Sequence, residues 1–217
     1  KTMSQKKYIG LDIGSVSVKA VLINERKEIL ENHYVRSHGQ TVETFLLVLK
    51  DIFNRTHIDD IDGIAITGTG GKLVSELMNI AFINEVVAHS TATTTLYPEV
   101  RTIIEIGGED SKLMLIERDA STQQTKVSDF SMNTMCAAGT GSFLDQQATR
   151  LGVAIEKEFG ELALKSKNPP RIAGRCSVFA KTDMIHLQQE GTPVYDIVAG
   201  LCYAMARNFK SNIGKGK

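Results

Sequence analysis

Apolar residues along this chain recur with two alternating periods, and the switches between them sketch one structural unit twice. Tyr8 to Asp12 is a short apolar run ending on an acid, Gly14 and Ser15 make a turn, and Val16 to Ile23 resumes in alternation. These read as two strands joined at Asp12-Ile13-Gly14-Ser15, with a third strand over Glu28 to Val35. From Thr41 to Phe53 the period lengthens to that of a helix, with Val42, Phe45, Leu46, Leu49, Ile52 and Phe53 on one face and Thr41 as the expected N-cap. Next come a strand over Ile61 to Thr67, the loop Gly68 to Gly71, a helix over Lys72 to Asn79, a short strand over Glu85 to Ala88, and a helix over His89 to Leu96 before Pro98. Thr102 to Ile106, a turn at Gly107-Gly108, Ser111 to Glu117 and Lys126 to Ser131 then repeat the opening order of strand, glycine turn, strand, hairpin, strand. Helices are predicted over Ser142 to Arg150, Gly160 to Lys167, Ser177 to Gln189 and Val194 to Asn212. Phe143, Leu144 and Leu151 form the buried face of the first, and Ile197, Val198, Leu201, Ala204, Met205 and Phe209 that of the last. The order predicts an α/β fold in two similar domains, residues 1–98 and 99–217.

Charge and composition narrow the class. The 217 residues carry 25 basic and 25 acidic side chains and are 42% hydrophobic, a balance that suits a soluble globular protein and recommends neither nucleic acid nor a membrane surface as partner. The only basic run is Lys210 to Lys217, and no apolar stretch approaches the roughly 18 residues of a membrane span. Lys1 to Tyr8 is too polar for a signal peptide, so the expected compartment is the cytoplasm. Three cysteines, Cys136, Cys176 and Cys202, are an odd number without a secretory signal, which argues against a disulfide framework and leaves them as ligands, nucleophiles or core residues.

The repeated turns carry the first candidate chemistry. Asp12, Gly14, Ser15, Ser17 and Lys19 surround one, and Glu105, Gly107, Gly108, Glu109, Asp110 and Lys112 the other. Glycines let backbone N–H groups approach phosphate oxygens, and a carboxylate at a strand end can hold magnesium through water. Lys19 is either a phosphate-facing cation or a solvated strand lysine. Cysteine carries the second. Cys136 opens the loop Cys-Ala-Ala-Gly139-Thr140-Gly141, which runs into a helix, and Cys176 precedes another. The free N–H groups at such helix starts stabilise an anion, and a thiolate-bound metal cluster is one. Thr69-Gly70-Gly71-Lys72 lacks phosphate-loop register and is read as structural, His186 as a packed or partly exposed helix residue, and His33, His38, His57 and His89 show no metal-ligand spacing.

Twin glycine hairpins of this kind resemble the actin-like ATPases, whose fold is related to ribonuclease H. Within them, YIGLDIGSVSVKAVLI, ITGTGGKLV, IIEIGGEDSKLMLI, NTMCAAGTGSFLD and RCSVFAKTDMIHLQQEG together resemble the BadF/BadG/BcrA/BcrD-type ATPases, activators of 2-hydroxyacyl-CoA dehydratases and benzoyl-CoA reductases. The resemblance implies ATP and Mg2+ in a cleft between two domains, with Asp12, Glu109 and Asp110 as the catalytic carboxylates. Gly14, Ser15, Ser17, Lys19, Gly107, Gly108, Gly139, Thr140 and Gly141 would bind the cofactors. It also implies a homodimer sharing one [4Fe-4S] cluster on Cys136 and Cys176 of each subunit, with ferredoxin or flavodoxin as electron donor and a CoA-thioester dehydratase or reductase as acceptor. The 40 positions between the two cysteines (176 − 136 = 40) are far from the close spacing of a cluster held by one chain, and under this resemblance two ligands cannot complete a four-thiolate site, so it implies a second subunit. Glu105 stands where many relatives have Asp, and Glu109 where they have Gln. The glycine-rich turn that packs on adenosine in the superfamily lies beyond Lys217, so the second domain is expected to be truncated. The competing readings are a sugar or carboxylate kinase of the same fold with structural cysteines, and a zinc protein using the same thiols.

Overall fold

The computed structural model describes residues 6–119, 121–122, 124–133 and 137–216. They fall into two units, Lys1–Leu96 and Tyr97–Lys217.

In the first unit, β1 (Lys7–Ile13), β2 (Ser17–Asn24) and β3 (Ile29–Arg36) form an antiparallel meander. β4 (Ile61–Thr67) and β5 (Ala81–Phe82) extend it in parallel from β1, giving the order β3-β2-β1-β4-β5. Alternation turns Ile9, Leu11 and Ile13 of β1 and Val18, Ala20 and Leu22 of β2 into the core. Phe45, Val48 and Ile52 of α1 (Thr41–Arg55) join the same core. Each such large side chain is worth roughly 1.5–3 kcal/mol on burial, and this layer anchors the strand ends that carry the first turn.

Three local expectations change. Thr41 is the first helical residue and Gln40 the N-cap, without a side-chain capping bond. Val42 and Leu46 are exposed, because the buried stripe runs through Phe45, Val48 and Ile52, spaced three and four residues apart. The strand expected over Glu85 to Ala88 is instead the first turn of α3 (Glu85–Leu96), which follows α2 (Gly71–Met78) and β5. The Asn84 side chain accepts from Val86 N at 2.9 Å, and that cap prevails over the β-propensity of Val86-Val87. His33, isolated in sequence, is brought between Glu31 and Asp51. Arg55 donates to both carboxylates, and its hydrogen bond to Glu31 raises the guanidinium pKa first of all. This closed ion network ties β3 to α1.

The second unit opens with β6 (Thr102–Ile106), β7 (Ser111–Arg118) and β8 (Thr125–Asn133), antiparallel in the order β6-β7-β8. β7 is buried on both faces at Ser111, Lys112, Leu113 and Met114. After a 3-10 turn at Ala137–Gly139 come α4 (Gly141–Leu151), α5 (Gly160–Lys165), α6 (Ser177–Gln189) and α7 (Val194–Asn212), with one π-helical turn at Ile155–Phe159. The predicted face of α7 is the observed one. Ile197, Val198, Leu201, Ala204 and Met205 pack with Phe143 of α4, Ile172, and Met184 of α6, while Phe209 and Ile213 cover Leu113 of β7. His186 is largely exposed and lies 3.2 Å from Glu190.

Candidate functional site

Strand register builds the same device at both turns. Asp12 stands across from Lys19 in β1 and β2, and Glu105 across from Lys112 in β6 and β7. The pairs are 93 positions apart (105 − 12 = 93; 112 − 19 = 93). The turn bonds keep that offset: Gly14 N donates to Ser17 O at 3.0 Å, and Gly107 N to Asp110 O at 2.9 Å. A Cβ at Gly14 would sit 3.1 Å from Ser17 O, and one at Gly107 would sit 3.0 Å from Asp110 Oδ1, so both turns favour the absence of a side chain.

The two lysines nevertheless live in different surroundings. Lys19 Nζ lies 2.8 Å from Asp12 Oδ2 and 5.9 Å from the centre of the Tyr34 ring, with 40% of its side chain exposed. Lys112 is 4% exposed and shared between Asp110 Oδ1 at 2.7 Å and Glu105 Oε2 at 3.2 Å. Burying an ammonium is costly unless carboxylates meet it, so Lys112 is held by, and holds, both acids. The half-exposed Lys19 can exchange Asp12 for another anion at little cost.

Ser15 and Ser17 part company. Ser17 is buried, whereas Ser15 is half-buried on the turn and its carbonyl accepts from Ser37 Oγ at 3.2 Å. Ser37, itself buried, also donates its N–H to Val16 O at 2.9 Å and so braces the turn from the end of β3. Thr67, across from Asp12 on β4, has a buried Oγ1 with no hydrogen-bond partner among the described residues. Asp12, Lys19 and Thr67 line a cavity of about 270 Å³, walled by Ala65, His89 and Ala92. An unpartnered hydroxyl, a carboxylate and a movable ammonium suit a hydrated, phosphate-bearing ligand. The loop after β4 is tied down by backbone bonds: Gly70 N donates to Ile13 O at 2.8 Å and Gly71 N to Gly68 O at 2.9 Å.

In the second unit, Gly139, Thr140 and Gly141 are fastened to the second turn. Ser111 Oγ donates to Gly139 O, Gly141 N to Gly107 O at 2.7 Å, and Ser142 N to Gly108 O at 3.2 Å. The first N–H groups of α4, expected to face an anion, are therefore spent on the carbonyls of Gly107 and Gly108. Glu109 is exposed on the same turn.

Cys136 lies outside the described residues. Cys176 is the N-cap residue of α6, partly exposed, on a cavity of about 730 Å³ also lined by Arg171, Arg175, Arg207, Asn208 and Lys210. A thiol among four cationic side chains suits a thiolate-bound anionic group. Cys202 packs against the core of α7, and burial pushes its thiol pKa up.

Side chains absent from the sequence-derived site set now belong to these places: Ser37, Thr67 and Asn208. They act across long stretches of chain and left no signal, whereas Lys112 was legible at the second turn from the seven-residue spacing that Lys19 keeps from Asp12.

The family model described as the BadF/BadG/BcrA/BcrD ATPase family matches residues 9–216. The chain is 32% identical over 205 residues to the 2-hydroxyisocaproyl-CoA dehydratase activator of Clostridioides difficile, covering 94% of this chain and 74% of that protein. Its fold is similar to the crystal structure of component A of (R)-2-hydroxyglutaryl-CoA dehydratase from Acidaminococcus fermentans, with a TM-score of 0.83, 29% identity and coverage of 95% and 77% of the two chains. It is similar at a TM-score of 0.82 and 32% identity to the activator of the 2-hydroxyisocaproyl-CoA dehydratase from Clostridium difficile with bound ADPNP, covering 94% and 74% of the two chains.

Proposed function

Because this chain belongs to the BadF/BadG/BcrA/BcrD ATPase family, we propose that it is the ATP-hydrolysing activator of a CoA-thioester dehydratase or reductase. The observation that carries the reading is the in-register repeat of carboxylate, glycine turn and lysine at Asp12 to Lys19 and Glu105 to Lys112. Asp12 would hold magnesium through water, and the half-exposed Lys19 would be free to turn to a phosphate oxygen. The N–H and hydroxyl of Ser15 would take phosphate oxygens in the first unit, as the N–H of Gly108 would in the second, while Gly14 and Gly107 shape the turns, their own N–H groups being spent on Ser17 O and Asp110 O. Ser17 supports the turn from inside. Lys112 keeps Asp110 aimed, and Glu109 would orient the attacking water. Gly139, Thr140 and Gly141 bear on the nucleotide indirectly, by backing the second turn.

Cys136 and Cys176 supply two thiolates, so the cluster site closes only in a homodimer. A [4Fe-4S] cluster bound there supplies one-electron chemistry at low potential. Arg171, Arg175 and Lys210 offset the negative charge of the thiolate site. The electron donor is a reduced ferredoxin or flavodoxin. In the sugar or carboxylate kinase alternative Asp110 or Glu109 would deprotonate a hydroxyl; Asp110 is engaged by Lys112 at 2.7 Å, which leaves the exposed Glu109 as the base of that reading.

Two measurements test the reading. Anaerobic purification should give a brown dimer with about four iron and four sulfide per dimer, lost in Cys176→Ala. A colourless, iron-free chain after anaerobic reconstitution refutes the cluster, and stoichiometric zinc would favour the zinc protein. Asp12→Asn should lower the ATP turnover number by on the order of a hundredfold while leaving the melting temperature unchanged, since it removes the magnesium-side charge and keeps the shape.

A further inference from the structure

The stretch from Ile172 to Cys176 is held from two helices. Asp183 of α6 accepts from Ala173 N at 2.8 Å, and Arg207 of α7 donates to Ile172 O at 2.6 Å. The next side chain on α7, Asn208, reaches further. It is 1% exposed, donates from Nδ2 to Gly174 O at 2.5 Å, and accepts on Oδ1 from Asn212 Nδ2 at 3.0 Å. That same Oδ1 would lie 2.5 Å from a Cβ at Gly139, so the amide abuts the turn that follows Cys136 in the sequence. One buried side chain thus touches the loop before Cys176 and the turn backing Gly107 and Gly108.

We propose that Asn208 is the positioning residue of the Cys176 ligand, locking the 172–176 loop against the Ala137–Gly139 turn so that the thiol is presented at a set place. The inference deepens the proposed cluster site and rests on that reading for its purpose, though its geometry can be tested without iron. The peptide carbonyl of Gly174 needs a donor, and the amide of Asn208 supplies one that is itself fixed by Asn212. Asn208→Asp keeps the shape and removes the donor, and Asn208→Ala removes both contacts.

The test uses the reduced, metal-free chain and iodoacetamide, with the modified peptides followed by mass spectrometry. In both variants Cys176 should be alkylated about tenfold faster than in the native chain, because the loop that presents it opens locally. Cys202 is the internal control: partly buried on α7, with its thiol pKa raised by burial, it should keep its native rate. An unchanged Cys176 rate in both variants overturns the proposal, as does a parallel acceleration of Cys202, which would show general unfolding instead of lost positioning. In anaerobically reconstituted protein, a chelator should strip iron from Asn208→Asp about tenfold faster than from the native dimer. If the alkylation result holds and the native chain binds no iron, the cluster reading falls and the positioning role stands. If iron binds and neither rate changes, the reverse follows.

Discussion

Replacing Gly68 by alanine is expected to destabilise the first unit by about 3 kcal/mol or more and to abolish ATP turnover, as the sum of backbone strain and overpacking. Gly68 has φ +93°, in the left-handed region, and an added Cβ would stand 2.5 Å from both Ile13 O and Asp12 Oδ1. Ile13 O is a backbone atom that accepts from Gly70 N at 2.8 Å and cannot yield, whereas the Asp12 side chain, paired with Lys19 at 2.8 Å, can. Relief would therefore push the Asp12 carboxylate out of place, coupling the stability loss to a loss of turnover. Gly39→Ala is the matched control: φ is +83° but nothing lies within 4 Å, so it should cost only the strain, about 1 kcal/mol. Denaturant unfolding and steady-state ATP hydrolysis on the two variants decide it. Equal losses would show that the contact with Asp12 and Ile13 is not the cause.

Replacing Gly174 by alanine is expected to have the largest effect in the second unit. Its Cβ would fall 2.5 Å from Ala204 O, a backbone atom inside α7. The loop must lift, and with it go the bonds from Arg207 to Ile172 O and from Asn208 to Gly174 O. Overpacking and two lost hydrogen bonds together cost about 3 kcal/mol, and Cys176, two residues on, moves with the loop. Iron content after anaerobic reconstitution should fall below one per dimer equivalent, about a fourfold loss against the four of an intact cluster. Gly160→Ala is the opposite case. With helical φ −64° and ψ −42° and nothing within 4 Å, it should stabilise by about 0.4–1 kcal/mol through the unfolded chain. Native iron content in Gly174→Ala would sink the placement of Cys176 on that loop.

How much was legible beforehand varied with the distance over which each feature is decided. The buried face of α7 was legible because a one-sided period survives any neighbour, and Ile197, Val198, Leu201, Ala204 and Met205 all went inside. The start of α3 was misread because Val86-Val87 suits a strand, while the competing Asn84 cap is a single side-chain hydrogen bond. On α1 the apolar residues outnumber the buried ones, and only the sheet beneath selected Phe45, Val48 and Ile52 over Val42 and Leu46. Among site residues, Ser15 and Ser17 are two apart, yet one is half-buried and the other buried, since Ser15 lies in the bend ahead of the strand and Ser17 is the first residue of β2, packed into the sheet.

The sequence by itself determined the two acid-glycine-lysine hairpins, the helices following Cys136 and Cys176, and the family, because turn chemistry and periodicity are local and repeat where the unit repeats. Only the tertiary structure decided what each copy does. Lys19 and Lys112 hold the same register, but one is half-exposed beside a single carboxylate and the other is buried between two. The N–H groups opening α4 are free in any local reading and are spent on Gly107 and Gly108 once folded. Asn208 meets Gly174 from 34 residues away. Burial and pairing are set by whatever packs on top, and that arrives from distant chain.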